Sequence, residues 1–528
     1  MMPRELPAHP NLEQLKKQAK SLLHAAQAHD GDALGRFAAL PAFSGKSIHE
    51  IDAADLALHD AQSVIARECG FPSWPALREE VEARALSFGE AVDEFLRCAT
   101  GGASGRAERL LALHPNIASA NLYTALVLGD AASVDARLRD RPELAKYSGG
   151  PQKWEPLLYV CHSCMHVTVP SCVDGFVVIA QQLCALGANP NAEYHWNWHP
   201  ELPRTALWGS ICAVGHLPLA EVLLKAGANP TDGVSMHIAG GSGNIEALDL
   251  LQRFAVNVNG IPGGVPPLVY MMLWAHNPAG PNWLLEHGAD ANLAWGEAGE
   301  APLHVAARRW DLPMVKLLVR HGADVLRHRA DGATAHTLAE LHGNTDIAAW
   351  LLAHGAHDEL SAVDRFAATC ARADRVAAEA LLAAQPTLRL ELRPEHHLML
   401  HRAAESGNTA VLETMLACGF DPMAKDKDNV TPLHRAAMGG HPAAVRVLLQ
   451  YDASVDAMDG MFSASPLVWA VEGRHTSKHA ATDYVEVARL LIAAGSPLGW
   501  TPPEGAPSPE GTLEGLAELR REAERTPA

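Results

Sequence analysis

One stretch of this chain repeats. EAPLHVAARRWDLPMVKLLVRHGADV, from Glu300 to Val325, aligns without a gap to VTPLHRAAMGGHPAAVRVLLQYDASV, from Val430 to Val455. GATAHTLAELHGNTDIAAWLLAHGAH from Gly332 and HLMLHRAAESGNTAVLETMLACGFDP from His397 fall in the same register. The slot filled by Pro in PLH marks the phase at Pro156, Ala206, Ser235, Pro267, Pro302, Ala335, Arg365, Met399, Pro432 and Pro466, and from Pro302 onward the steps are 30 to 34 residues. A period of that length requires a supersecondary unit stacked on its own copies, because one unit cannot bury its apolar face alone.

The residues at fixed phase have physical work to do. Proline opens a helix at the turn where a missing N–H costs nothing, and Thr431 before it is placed to cap. The histidine of PLH (His304, His401, His434) is expected to hydrogen-bond neighbouring turns. Ala306–Ala307, Ala403–Ala404 and Ala436–Ala437 let two helices approach closely. A Leu-Leu pair keeps phase at Leu223–Leu224, Leu284–Leu285, Leu317–Leu318, Leu351–Leu352, Leu448–Leu449 and Leu490–Leu491, and is expected to fill the core between units. The glycine that follows suits a left-handed helix end.

The TPLH-type opening and the LLxxGA-type ending together resemble the ankyrin-repeat family over roughly residues 88 to 500. The resemblance implies an all-α solenoid of about twelve helix-turn-helix units with short β-hairpin connections. Two units in the first part, from Ala91 and Asn121, end at His114–Pro115 and Arg141–Pro142 instead of Gly-Ala, as does the one ending at Gln385–Pro386. Residues 1–87 form an N-terminal helical segment, expected to cap the solenoid or to bind a partner; it is similar to a region ahead of ankyrin repeats in some bacterial proteins. Residues 501–528 are expected to be a tail with a short polar helix.

Composition narrows the function. A formal net charge of −19 repels phosphate backbones and anionic membranes, so neither nucleic acid nor membrane is an expected partner. Arg308, Arg309, Arg320, Arg327 and Arg329 make one local basic run, which reads as a solvated face. Nine cysteines without a framework read as free thiols in a reducing compartment. The N-terminus has no apolar signal-like core and the chain has no long apolar run, so a cytoplasmic protein is expected.

Chemistry is sparse. There is no GxSxG, HExxH or phosphate-binding glycine loop, and the glycines at Gly241–Asn244 fall on an inter-helix turn of the repeat. No enzyme and no cofactor are expected. In CHSCMH, a continuous helix would put Cys161 and Cys164 on one face and His162 and His166 on an adjacent one, a weak zinc pattern weighed against ordinary helix packing. The step from Pro156 to Ala206 marks an insertion that lengthens a hairpin with Tyr194, His195, Trp196, Trp198 and His199. These rings either pack back on their own unit or form a binding hot spot. The family resemblance implies partner contacts at hairpin tips and at the two positions after the Ala-Ala pair. With the hairpin, the expected partner-binding residues are therefore Trp274, Trp295, Arg308, Arg309, Trp310 and Met438. The reading is a scaffold or adaptor for a protein partner of unknown identity. The alternative is a small-molecule or metal sensor, or an enzyme, built on the His/Trp-rich insertion at 161–199.

Overall fold

The computed structural model describes residues 6–525 apart from 8–9, 55, 197–198, 261–263, 276, 477–482 and 502–508. The chain divides into two units, Met1–Pro262 and Gly263–Ala528. Among the described residues the nine cysteines form no disulfide, and no helix is long and apolar enough to cross a membrane.

The first unit opens with helices Leu12–Gln27, Gly31–Phe37, Leu58–Glu68 and Trp74–Ala85. Asn11, Asp30 and Ser73 cap three of them through side-chain oxygens. Leu22, Phe37, Ile51, Val64 and Leu77 form their common core. Five helix pairs follow, from Phe88–Thr100 with Ser104–Leu113 to Ser235–Ser242 with Ile245–Arg253. The second unit holds seven pairs, from Pro267–Trp274 with Ala279–Glu286 to Pro466–Thr476 with Tyr484–Ala493. These twelve pairs among the described residues make the chain an all-α repeat protein.

The connections differ from the expected hairpins. Among the described residues the only two-stranded sheet is β1 (Glu193–Trp196) with β2 (His199–Thr205). Elsewhere single bridges join Gly149 to Trp154, Trp295 to Glu300 and His328 to Thr334. Trp295 and Glu300 exchange both backbone hydrogen bonds at 3.0 Å, and a loop that short closes after one such rung.

The Leu-Leu pair also needs correction. The core position is the residue four before the left-handed helix end: Leu223, Leu284, Leu318, Leu351, Leu448 and Leu491 are all 0% exposed. The other member varies from buried Leu285 to Leu352, which is 42% exposed. Leu317 is therefore half-buried, and its neighbour Leu318 carries the packing. Gly322 supplies the left-handed end at φ 86°, whereas Asp452 holds the same place at φ 60°, a conformation that disfavours a Cβ.

The PLH histidines tie one repeat to the next. The Thr431 N–H donates to His434 Nδ1 at 3.2 Å, so that nitrogen bears no proton. The Nε2–H is then free to donate to the Ala464 carbonyl at 3.1 Å. His304 repeats the arrangement, with the Ala301 N–H on Nδ1 at 3.0 Å and Nε2 on the Arg327 carbonyl at 2.9 Å. His401 reaches the Val430 carbonyl at 2.9 Å. Burial lowers the pKa of all three rings.

One unit breaks the pattern. His336 occupies the slot that Leu303, Leu400 and Leu433 fill elsewhere; it is 1% exposed, and neither ring nitrogen has a hydrogen-bond partner among the described residues. A buried polar group left unpaired costs about 1–3 kcal/mol. His336→Leu is expected to raise the urea midpoint by a matching amount. A lower midpoint in the variant would show that the ring is satisfied after all.

The chain closes with a 17-residue helix, Pro509–Arg525. It is no loose polar tail. Leu516, Leu519 and Ala523 form a buried stripe, and Arg474 holds Glu522 through two bonds at 2.8 and 3.1 Å. The spacing of three and four residues gives one apolar face inside a polar composition.

Candidate docking groove and the hairpin insertion

In the first unit the insertion follows the helix Pro156–Cys161. That helix stops at Cys161, so the shared faces expected for CHSCMH do not arise. A 3₁₀ turn, Met165–Val167, intervenes before the partner helix Cys172–Ala185. Cys161 points into the core, and burial raises its thiol pKa. The Cys164 thiol donates to the Cys98 carbonyl at 3.4 Å, and His166 Nδ1 meets the Ser163 carbonyl at 3.0 Å. Among the described residues no group of three or more His, Cys, Asp or Glu side chains is placed to hold a metal ion.

His162 takes the bridging role of the PLH histidines, its Nε2 lying 3.2 Å from the Thr205 carbonyl. It is buried, and desolvation pulls its pKa down to about 3. Around it stands a ring stack. Tyr194 stacks on Trp154 with centroids 4.1 Å apart and meets the His162 ring edge-on at 5.1 Å. Trp208 stacks on the other side of His162 at 5.5 Å, and the Arg204 guanidinium lies 4.2 Å from the Trp208 ring. Tyr194 pairs with Arg204 in the β1–β2 ladder.

Strand alternation then turns His195 outward, where it is exposed with Glu193 3.6 Å away. The backbones of Trp196 and His199 pair in the ladder; their side chains, and Trp198 altogether, lie outside the described residues. Trp154 and Trp208 were the missed members of this stack. Their signal was position: each sits at the start of a repeat, near the expected phase of Pro156 and Ala206.

The second unit carries a groove of 970 Å³. It is lined from the helices Pro302–Arg309, Ala335–Leu341, Met399–Glu405 and Pro432–Met438, the first members of four pairs. Trp274 lines it and is 56% exposed; Trp295, 36% exposed, meets Trp274 edge-on at 5.9 Å. Arg308 is held by Glu300 at 2.6 Å, and Glu300 also takes Arg329 at 3.1 Å. Arg309 donates to the Leu273 carbonyl at 2.8 Å. Arg402 reaches across 94 residues of sequence to the Arg308 carbonyl.

Among the described residues, neither Arg309 nor Arg402 has a carboxylate within ion-pair distance. Both are accessible in the groove yet walled by protein. Desolvation, then the neighbouring guanidiniums, lowers their pKa values, with Glu405 opposing. Beside them, His342 is pushed down to about 3 by burial and by Arg402, Arg308, Arg309 and Arg329.

The groove thus brings together Trp274, Arg308 and Arg309 of the residues expected from sequence, with Trp295 alongside. Trp310 instead props the scaffold, its indole N–H donating to the Met272 carbonyl at 2.9 Å. Met438 is half-buried, and its carbonyl accepts the Tyr484 hydroxyl at 3.0 Å. Arg402 precedes the Ala-Ala pair, whereas the family resemblance implies contacts at the positions after it. The repeated HRAA at His401 and His434 was the available signal, since it puts an arginine just before that pair on the groove side.

A family model for ankyrin repeats in three copies matches residues 268–362 and 400–498. A putative palmitoyltransferase ZDHHC13 of Danio rerio is 28% identical over 33% of this chain and 22% of its own length. The chain therefore spans about a fifth of that relative. A putative ankyrin repeat protein FPV223 of fowlpox virus is 27% identical over 31% of this chain and 94% of its own. The human ASB11 ankyrin repeat domain, a solved structure, shares 22% identity over 45% of this chain and 99% of its own, with a TM-score of 0.34.

Proposed function

This chain belongs to the ankyrin-repeat family, whose repeats generally mediate protein–protein interaction, and from that premise we propose that it is a non-enzymatic scaffold docking a protein partner in the groove of its second unit. The observation that carries this reading is the groove itself. Exposed Trp274 lines it with Trp295 alongside, and Arg309 and Arg402 lie in it with no ion pair to a carboxylate among the described residues. Tryptophan and arginine are the residues over-represented among interface hot spots, and solvated indole surface favours burial by about 25 cal/mol per Å². The β1–β2 hairpin, with exposed His195 and with Trp196, Trp198 and His199, is proposed as a separate contact. Residues 1–87 are proposed as a cap on the first repeats, and nine cysteines with no disulfide among the described residues support a cytoplasmic setting.

The test is comparative affinity capture. The full chain and a Trp274→Ala/Arg309→Ala/Arg402→Ala variant are used as baits in extract of the native cell. A partner recovered by the parent is expected to be lost from the variant, with both baits melting alike. Equal recovery by the two would remove the groove from the interface.

A further inference from the structure

Resting on that docking reading, we propose that the groove receives an acidic peptide segment of the partner, with a carboxylate seated between the guanidiniums of Arg309 and Arg402 and an adjacent apolar side chain against Trp274. The geometry prepares the two cations for this. Each spends one N–H on a backbone carbonyl, Leu273 for Arg309 and Arg308 for Arg402, and a guanidinium has five donors in a fixed fork. The carbonyls hold the forks in place and leave further N–H groups free. A pre-positioned fork loses less freedom on binding a planar carboxylate than a mobile lysine would.

Charge decides what does not fit. Arg308 and Arg329 share Glu300, Arg393 pairs with Asp364, and Arg435 pairs with Asp426. Among the described residues Arg309 and Arg402 form no such ion pair, and of the groove's carboxylates Glu405 offsets both only in part. Glu359, Glu395 and Glu405 line the groove and would repel a long polyanion. A net charge of −19 adds repulsion at longer range. One or two carboxylates on an otherwise mixed segment satisfy both conditions; a nucleic-acid backbone satisfies neither. A volume of 970 Å³ lies at the upper end for a drug-sized occupant, enough for a short stretch of peptide.

The experiment is selection of a random displayed-peptide library on the full chain, followed by fluorescence titration of a labelled synthetic copy of the enriched peptide. Enriched peptides are expected to carry Asp or Glu beside an aromatic or aliphatic residue. Arg309→Gln or Arg402→Gln should weaken binding at least about thirtyfold, and so should replacing the peptide's carboxylates by amides. Combining variant and amide peptide should add little to either loss, and Arg309→Lys, which keeps the charge, should lose less than Arg309→Gln. Melting curves matching the parent establish that the variants fold.

Peptides that lose affinity with Trp274→Ala but not with either arginine substitution would overturn the carboxylate site and leave the docking reading standing. A library yielding no peptide sensitive to any groove substitution would count against both. Displacement by millimolar inorganic phosphate but not by equal acetate would overturn the assignment in favour of a phosphorylated ligand. Arginine-dependent binding of a labelled single-stranded RNA would overturn it in favour of nucleic acid.

Discussion

Leu318→Ala and Leu448→Ala are each expected to destabilise the second unit by about 2–5 kcal/mol, the cost of removing buried methyl groups and leaving a cavity. Both leucines are 0% exposed. Leu448 shares a buried cluster with Leu412, Leu433, Val445, Leu467 and Val487, which come from three successive repeats. A repeat stack is held by nearest-neighbour contacts; the loss should therefore first unprotect the mutated repeat and its neighbours. Hydrogen exchange read by mass spectrometry checks this, together with urea titration. Leu352→Ala is the control: its side chain is 42% exposed, and surface substitutions usually stay within about 0.5 kcal/mol. Equal damage from Leu352→Ala and Leu318→Ala, or uniform loss of protection along the chain, would contradict the packing described here.

Acid should begin to destabilise the first unit before its carboxylates titrate. His162 titrates at about 3 in the folded chain and near 6.5 when unfolded. Between those values the unfolded state takes up a proton that the folded state refuses, so stability is complete above about pH 6.5 and falls as pH drops below it. From about pH 7.5 to about pH 5 the loss from His162 alone is about 2 kcal/mol. In the second unit, burial depresses His304, His401 and His434 as well, and each contributes in the same direction. Asp364 belongs to a second, lower window. His396, hydrogen-bonded to it at 2.8 Å, holds its carboxyl well below the usual range; the stability it contributes is present at neutral pH and is lost only as pH falls through the carboxylate range. Denaturation midpoints followed separately for each unit against pH test both windows. His162→Gln should flatten the first-unit profile by about 2 kcal/mol whatever its baseline stability. An unchanged slope would mean that the ring titrates normally.

What could be read from the sequence was whatever recurs at a fixed interval. Helix ends at Gly322 and Gly355, the Ala-Ala approach at Ala306–Ala307 and the bridging role of His304 and His434 all follow from phase. The periodic reading was weakest inside a repeat. It placed both Leu317 and Leu318 in the core where only Leu318 is fully buried, because a Leu-Leu pair does not say which member faces the neighbouring unit. It continued a helix through CHSCMH, although the insertion ends that helix at Cys161. Contacts made outside the repeating positions left no periodic trace: Tyr194 on Trp154 depends on how the insertion folds back, and Arg402 meets Arg308 from a repeat three further along. The expected basic run contained Arg308 and Arg309, but the proposed site also needs Arg402, which lies outside that run.

The bridging histidines have a grammar. In His304 and His434 the near nitrogen accepts within its own repeat and the far nitrogen donates to the repeat that follows. Every junction so made has a head and a tail, and the tail of one fits the head of any other. Genetic exchange that removes or duplicates chain from one phase marker to the next, such as Pro302 to Ala335 or Met399 to Pro432, therefore leaves each ring a carbonyl to meet. A cut between a histidine and its acceptor strands a buried donor instead. The protein's length is thus variable in whole repeats and resistant to change in fractions of one, while the groove, which joins Arg309 to Arg402 across the repeats between them, fixes how many must stand in that interval.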